Sequence, residues 1–147
     1  MHVSNKLSIA IHCLISINEF GDEKKVTSEL LAFSTGCNPV TIRNIISNLN
    51  KGGIIEVRFG TGGTKIAVPL KEISLYRICS VVEPDAVDKM IGIHNKPSSL
   101  CPVGKNIAPV LADAYGKIKR DLIESMKSIT LDMLVDDFHS RLNQTAL

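Results

Sequence analysis

Tryptophan is absent, and aromatic residues make up only 4% of the 147 residues. Base-stacking platforms for single-stranded nucleic acid need such rings, so that mode of binding is disfavoured. A large charge excess is lacking too: a formal net charge of +2 argues against a polybasic binder that relies on bulk electrostatics. No apolar run reaches membrane-spanning length, and no charged-then-apolar leader with a cleavage site is seen. No membrane partner is therefore expected, and the expected location is cytoplasmic. The four cysteines form no CxxC pair, which argues against a disulfide scaffold and a zinc ribbon.

Complete catalytic constellations are also missing. His12–Cys13 and His94–Cys101 could be drawn as pairs, but neither has a third orienting group or an oxyanion motif. Gly60-Thr61-Gly62-Gly63 lacks the Lys-Ser/Thr of a phosphate-binding P-loop, and Asp136-Asp137 reads as a solvated helix end. No enzyme, no catalytic residue and no metal site are expected. What is present, 44% apolar and 22% charged residues, suffices for one domain with an extension.

The stretch Asn38–Val68 is the informative one. Asn38 is an N-cap, Pro39 suits the first helical position, and Gly52-Gly53 stops the helix. Val40, Ile42, Ile45, Ile46 and Leu49 form an apolar stripe, while Thr41, Arg43, Asn44, Ser47, Asn48 and Lys51 form a polar face without an acid. Ile54–Phe59 and Thr64–Val68 read as strands around a glycine-rich tip. Arg43, Lys51, Arg58 and Lys65 stand against Glu56 alone, a net of +3 over this stretch. A helix with a hydrogen-bonding outer face beside a basic ribbon suits a DNA duplex, helix in the major groove and ribbon on phosphates.

Upstream, Ser4–Phe20 reads as a first helix burying Leu7, Ala10, Ile11, Leu14, Ile15 and Ile17. Val26–Ser34 reads as a second, capped by Thr27 or Ser28, with Leu30, Leu31 and Phe33 facing inward. Two helices joined by a tight turn with a ribbon behind form a winged helix-turn-helix. Its base-contacting side chains are expected at Val40, Thr41 and Asn44, with Arg43 near a base or phosphate and Asn38-Pro39 at the helix entry. Wing contacts are expected at Arg58, Thr61, Gly62, Gly63 and Lys65, and phosphate contacts at Thr27 and Ser28.

NPVTIR, the GTGGTKIA wing, EISL after it and CPVG at Cys101–Gly104 together resemble the Rrf-two family of bacterial winged-helix regulators. The resemblance covers nearly the whole chain. It implies a homodimer that binds palindromic operator DNA as double strand, mostly as a repressor. Cluster-bearing relatives group three cysteines between wing and dimer helix, and here that region supplies Cys101 alone. The resemblance thus implies a cluster-less member, with no iron–sulfur cofactor; a cluster shared by Cys101 and His94 would be atypical, since thiolates normally hold such clusters.

Downstream, Pro69–Glu83 reads as one short amphipathic helix and 84–102 as a connecting, effector-type loop. From Val103, apolar residues recur every three or four positions to Ile129, with Pro109 marking a start or a bend. Thr130 would cap a last helix carrying Leu131, Met133, Leu134 and Phe138. The expected fold is mainly α with a small β-wing: a winged helix-turn-helix domain (1–83), the loop, and a long dimerisation helix plus short helix (103–147). A helix of roughly 20 to 25 residues exceeds what the small domain needs, so a partner is expected at Val110, Ala114, Tyr115, Ile118, Leu122, Ile123 and Met126.

The signal is expected at a thiol. Cys101 precedes the long helix, whose dipole stabilises a thiolate, and Cys37 lies just before the recognition helix. Cys13 and Cys79 read as small buried hydrophobes, Cys13 being the third redox candidate. The alternatives are a winged-helix protein-interaction module without specific DNA binding, or a regulator answering a small ligand.

Overall fold

The computed structural model describes residues 4–58, 60 and 62–145. It is mainly helical, with one two-stranded sheet. Helices α1 (Lys6–Phe20), α2 (Ser28–Thr35) and α3 (Pro39–Lys51) precede strands β1 (Ile55–Arg58) and β2 (Gly63–Ile66). The strands pair antiparallel, Ile55 opposite Ile66 and Arg58 opposite Gly63, which is the expected wing. Phe59 and Thr61, expected in the strand and at the wing tip, lie outside the described residues.

The helix starts follow from their caps. Thr27 Oγ1 accepts from the Leu30 amide at 3.1 Å, and Asn38 Oδ1 accepts from the Val40 amide at 2.8 Å, with Pro39 next in line. A tight turn at Gly36, in the left-handed region at φ 71, ends α2. Leu14, Leu31, Ile42, Leu49, Ile54 and Ile55 are buried together in the core these elements share.

Phe33 departs from expectation: it is 87% exposed. Leu31 and Ala32 set the buried direction of this short helix, and at roughly 100° per residue position 33 is turned away from both. Val40, placed in the apolar stripe, is 55% exposed at the first turn of α3.

After the wing, Pro69–Glu83 is not one helix. A 3-10 turn (Leu70–Glu72) is followed by an extended Ile73, and α4 (Leu75–Val82) begins where Ser74 Oγ accepts from the Arg77 amide at 3.1 Å. The cause is tertiary. Leu75 N–H donates to Ile129 O at 2.9 Å and Leu131 N–H to Ile73 O at 2.8 Å, a bridge that holds 73–75 extended.

Helix α5 (Ala86–Met90) is short, and irregular chain leads to α6 (Pro102–Ser128). α6 runs through Pro109 as one helix of 27 residues, about 40 Å long. A start near Pro109 is thereby excluded. No residue of α6 is buried.

The last helix, α7 (Leu131–Thr145), folds back on α1. Leu131 and Val135 enter the core, and His139 Nε2 lies 2.7 Å from Glu19 Oε1 of α1. Met133, expected inside, is 51% exposed. The Thr130 hydroxyl donates to the Asp132 carboxylate, while its carbonyl accepts from the Leu134 amide.

Candidate DNA interface and cysteine sites

α3 separates its two faces cleanly. Ile42, Ile45, Ile46 and Leu49 are buried, while Val40, Arg43, Asn44 and Ser47 are exposed and Thr41 is half-buried. The exposed face carries donors, acceptors and one guanidinium, the groups that read base edges. Arg43 lies 4.0 Å from Glu29 of α2, both side chains being exposed. Such a surface pair is worth little, so the guanidinium remains free to exchange partners.

The start of α2 stands between recognition helix and wing. Glu29 reaches Arg43, and two residues before Thr27 the Lys25 ammonium donates to the Gly60 carbonyl at 2.5 Å. Thr27 and Ser28 sit at the α2 N-terminus, half-buried, where helix amides favour an anion. The Thr27 hydroxyl already accepts from Leu30, which leaves its proton for a phosphate oxygen.

On the wing, Arg58 ends β1 and pairs with Glu56 at 3.5 Å, both exposed. A Cβ added at Gly62 would come within 2.5 Å of Arg58 Cβ, so the glycine lets this arginine lie across the tip. Lys65 donates to Asp22 at 2.9 Å and is thus engaged on the protein side. Lys25 was missed by sequence reasoning. Its only signal was the Lys24-Lys25 pair in what reads as a plain polar connection.

The cysteines divide by environment. Cys13 is fully buried, and burial, helped by neighbouring Cys37, pushes its thiol up to about 12. Cys79 is raised as well, by burial and then by the Glu83 charge. Cys37 is half-buried, its amide donating to Thr35 Oγ1 at 3.3 Å. Cys101 differs from all three: it is exposed at the N-cap of α6 and held below the ordinary thiol range. The cause is the Gly104 amide and then the Val103 amide. No cap hydrogen bond of ordinary geometry is made, so the amides act as oriented dipoles.

Of the expected partner-facing residues, Ala114, Val110 and Ile118 are exposed, and Tyr115, Leu122, Ile123 and Met126 are half-buried. Leu122 and Met126 line a cavity of about 380 Å³ against α1, α4 and α5. No helix among the described residues is long and apolar enough to cross a membrane.

With this geometry in place, comparison with known proteins is direct. The family model described as "Rrf2: Iron-dependent Transcriptional regulator" matches residues 3–137. YwnA of Bacillus subtilis, described as an HTH-type transcriptional regulator, is 30% identical over 129 residues, covering 88% of this chain and 93% of that one. A solved transcriptional regulator from Lactobacillus plantarum is 26% identical, with a TM-score of 0.76 over 97% of this chain and 99% of its own. CymR, the global cysteine regulator of B. subtilis, shares the fold at 16% identity and a TM-score of 0.67, covering 92% of this chain and 97% of its own. These are regulators and not enzymes.

An iron-dependent regulator needs side chains that hold the metal or its cluster. Among the described residues no three His, Cys, Asp or Glu side chains stand together as a metal site. In the segment before α6, Cys101 is the one thiol, while Cys13 and Cys79 are buried elsewhere. This donor set does not fit a thiolate-held iron–sulfur cluster.

Proposed function

Because the chain belongs to the Rrf2 family of DNA-binding transcriptional regulators, we propose that it is a homodimeric, sequence-specific repressor in the cytoplasm, released from a palindromic operator when Cys101 is oxidised. The observation that carries the reading is the acid-free exposed face of α3, flanked by the α2 N-terminus and the wing. In this reading Val40, Thr41 and Asn44 meet base edges and Arg43 a guanine edge or a phosphate. Thr27, Ser28, Arg58 and the wing glycines position the protein on the backbone, and Lys65 exchanges Asp22 for a phosphate.

α6 supports the dimer. A helix of 27 residues with none buried leaves apolar surface that a second copy would cover, and two-fold pairing spaces two recognition helices for successive major grooves. Cys101 supports the switch, being the exposed thiol with a lowered pKa, the condition for selective oxidation to a sulfenic acid or a disulfide.

The test is fluorescence anisotropy with duplex DNA from upstream of the protein's own gene, in reductant and after mild oxidation, across a salt series. Tight reduced binding that weakens with salt and is lost on oxidation is the expected result. Oxidant-indifferent binding would remove the switch, and no salt-dependent duplex binding would remove the regulator reading.

A further inference from the structure

The connection between α1 and α2, a polar linker by sequence, is the element that grips the wing. Its own backbone is fixed at both ends. The Glu23 and Lys24 amides donate to the Phe20 carbonyl at 3.1 and 3.0 Å, and Val26 is buried in the core. Between these anchors the connection meets the wing repeatedly. A Cβ added at Gly21 would stand 3.3 Å from the Thr64 carbonyl oxygen, so the bare backbone lets β2 come close. The Asp22 carboxylate accepts from Lys65, and the Lys25 ammonium donates to the Gly60 carbonyl. Lys25 also lies against Gly63, where an added Cβ would meet its Cγ at 3.1 Å and its Cα at 3.3 Å.

Lys25 therefore holds the wing from two sides. A lone two-stranded ribbon is marginally stable at best, and these strands have four residues each, so the wing needs an outside support. Gly63 is the residue paired with Arg58 across the ribbon, and Gly60 lies two positions beyond Arg58. Both backbone points that frame Arg58 are thus touched by one side chain. The bare faces of the two wing glycines are used within the chain: Gly62 makes room for the stem of Arg58, and Gly63 for the stem of Lys25. The tie between Asp22 and Lys65 is of another kind, since the Asp22 side chain is 94% exposed and a phosphate can replace it. The Lys25 stem adds packing that a phosphate does not replace.

Resting on the duplex-binding reading above, we propose that Lys25 is a positioning residue for the wing on DNA. It fixes the backbone on both sides of Arg58, so that the guanidinium is presented to the duplex backbone in one place. The ordering of the wing is then completed on folding and does not weigh against binding. Lys25 makes no phosphate contact of its own, and its effect on affinity passes through Arg58.

Duplex binding across a salt series tests this in the unaltered protein, in Lys25→Met, Lys25→Arg and Arg58→Ala, and in the double variant Lys25→Met with Arg58→Ala. Methionine keeps most of the stem and removes the ammonium. Lys25→Met should weaken binding as much as Arg58→Ala does, and lower the slope of log affinity against log salt by about 0.9, the share of one phosphate contact. The double variant should bind like Arg58→Ala alone, and Lys25→Arg should restore the original affinity. Lys24→Met, which removes an equal charge beside the brace, should leave affinity and slope unchanged. A slope lowered by about 1.8 in the double variant would make Lys25 a phosphate contact and overturn the proposal. An equal loss in Lys24→Met, an unaffected Lys25→Met, or an unaffected Arg58→Ala would overturn it as well. Hydrogen exchange in the DNA-free protein reads the brace directly. The amides of β1 and β2 should exchange faster in Lys25→Met, while those of Leu14 and Leu49 in the core keep their rates. Wing amides that keep theirs would overturn the brace without reference to DNA. A chain that binds no duplex, yet loosens its wing in Lys25→Met, supports the brace and disproves the regulator reading.

Discussion

At the scale of single residues, environment decides what each cysteine can do. The Cys101 thiol is lowered by the Gly104 and Val103 amides, so its thiolate fraction rises at lower pH than that of a free thiol. Its alkylation rate by iodoacetamide should climb through a midpoint below the ordinary thiol value, while Cys13, pushed up to about 12, stays unmodified in the native protein at neutral pH. Mass spectrometry of pulse-alkylated peptides would read both, and prompt labelling of Cys13 in the folded chain would contradict the environment described. On the DNA face, Asn44→Ala should weaken specific operator binding by roughly 1–3 kcal/mol while sparing non-specific binding. Arg58→Ala should lower both alike and flatten the salt slope by about one contact; competition titrations distinguish the two patterns. Much at this scale was legible from sequence: the Asn38 cap, the apolar stripe of α3 at every position but Val40, and the separateness of Cys101. Phe33 was not, because Leu30, Leu31 and Phe33 in eight residues leave the helix phase undetermined until the neighbours are known. The engagements of Lys25 with Gly60 and Lys65 with Asp22 were invisible for another reason, since each joins residues far apart in the chain.

At the scale of elements, local signals succeeded where the structure satisfies its own backbone locally. The recognition helix is bounded by Asn38-Pro39 and Gly52-Gly53, and the caps do what the residues imply, with one refinement. Gly53 carries the left-handed φ of 74, whereas Gly52 is at −78 and leaves room for Val81, whose Cγ2 would meet an added Cβ at 2.6 Å. Asn38→Ala should cost about 1 kcal/mol of unfolding free energy, read in urea titrations, with the fold otherwise unchanged. Local signals failed at Pro69–Glu83, where amphipathic spacing continues across Ile73 and Ser74 but the bridge to Ile129–Leu131 imposes extended backbone. No window around residue 73 contains that partner segment. At Pro109, where the sequence left a start or a bend open, the helix continues: proline removes one amide donor and crowds the preceding turn, and the flanking turns carry the helix past it.

For the whole molecule, the fold class was legible because helix-turn-helix, wing and long helix each have a pattern of their own. Less legible was where the last helix goes, since α7 is amphipathic and would fit any apolar surface. It returns to α1 and places Leu131 and Val135 in the core shared with Ile42 and Ile73. Leu131→Ala should therefore cost about 2–5 kcal/mol, the range for truncating a buried leucine, and a chain stopped after Ser128 should melt well below the full one. A melting temperature unchanged by removing α7 would show that the helix is dispensable to the core.

That return also ties the long helix to the wing. Through the pairing of Ile129–Leu131 with Ile73–Leu75, the end of α6 is joined to the chain that leaves the wing, while α4 and α5 pack along its C-terminal half. Cys101 stands at the far tip of the helix, about 40 Å away. The amides of Leu75 and Leu131 make the hydrogen bonds of this junction and would report any coupling between it and the far tip. Their hydrogen exchange should quicken when the far tip is modified, before any core amide responds.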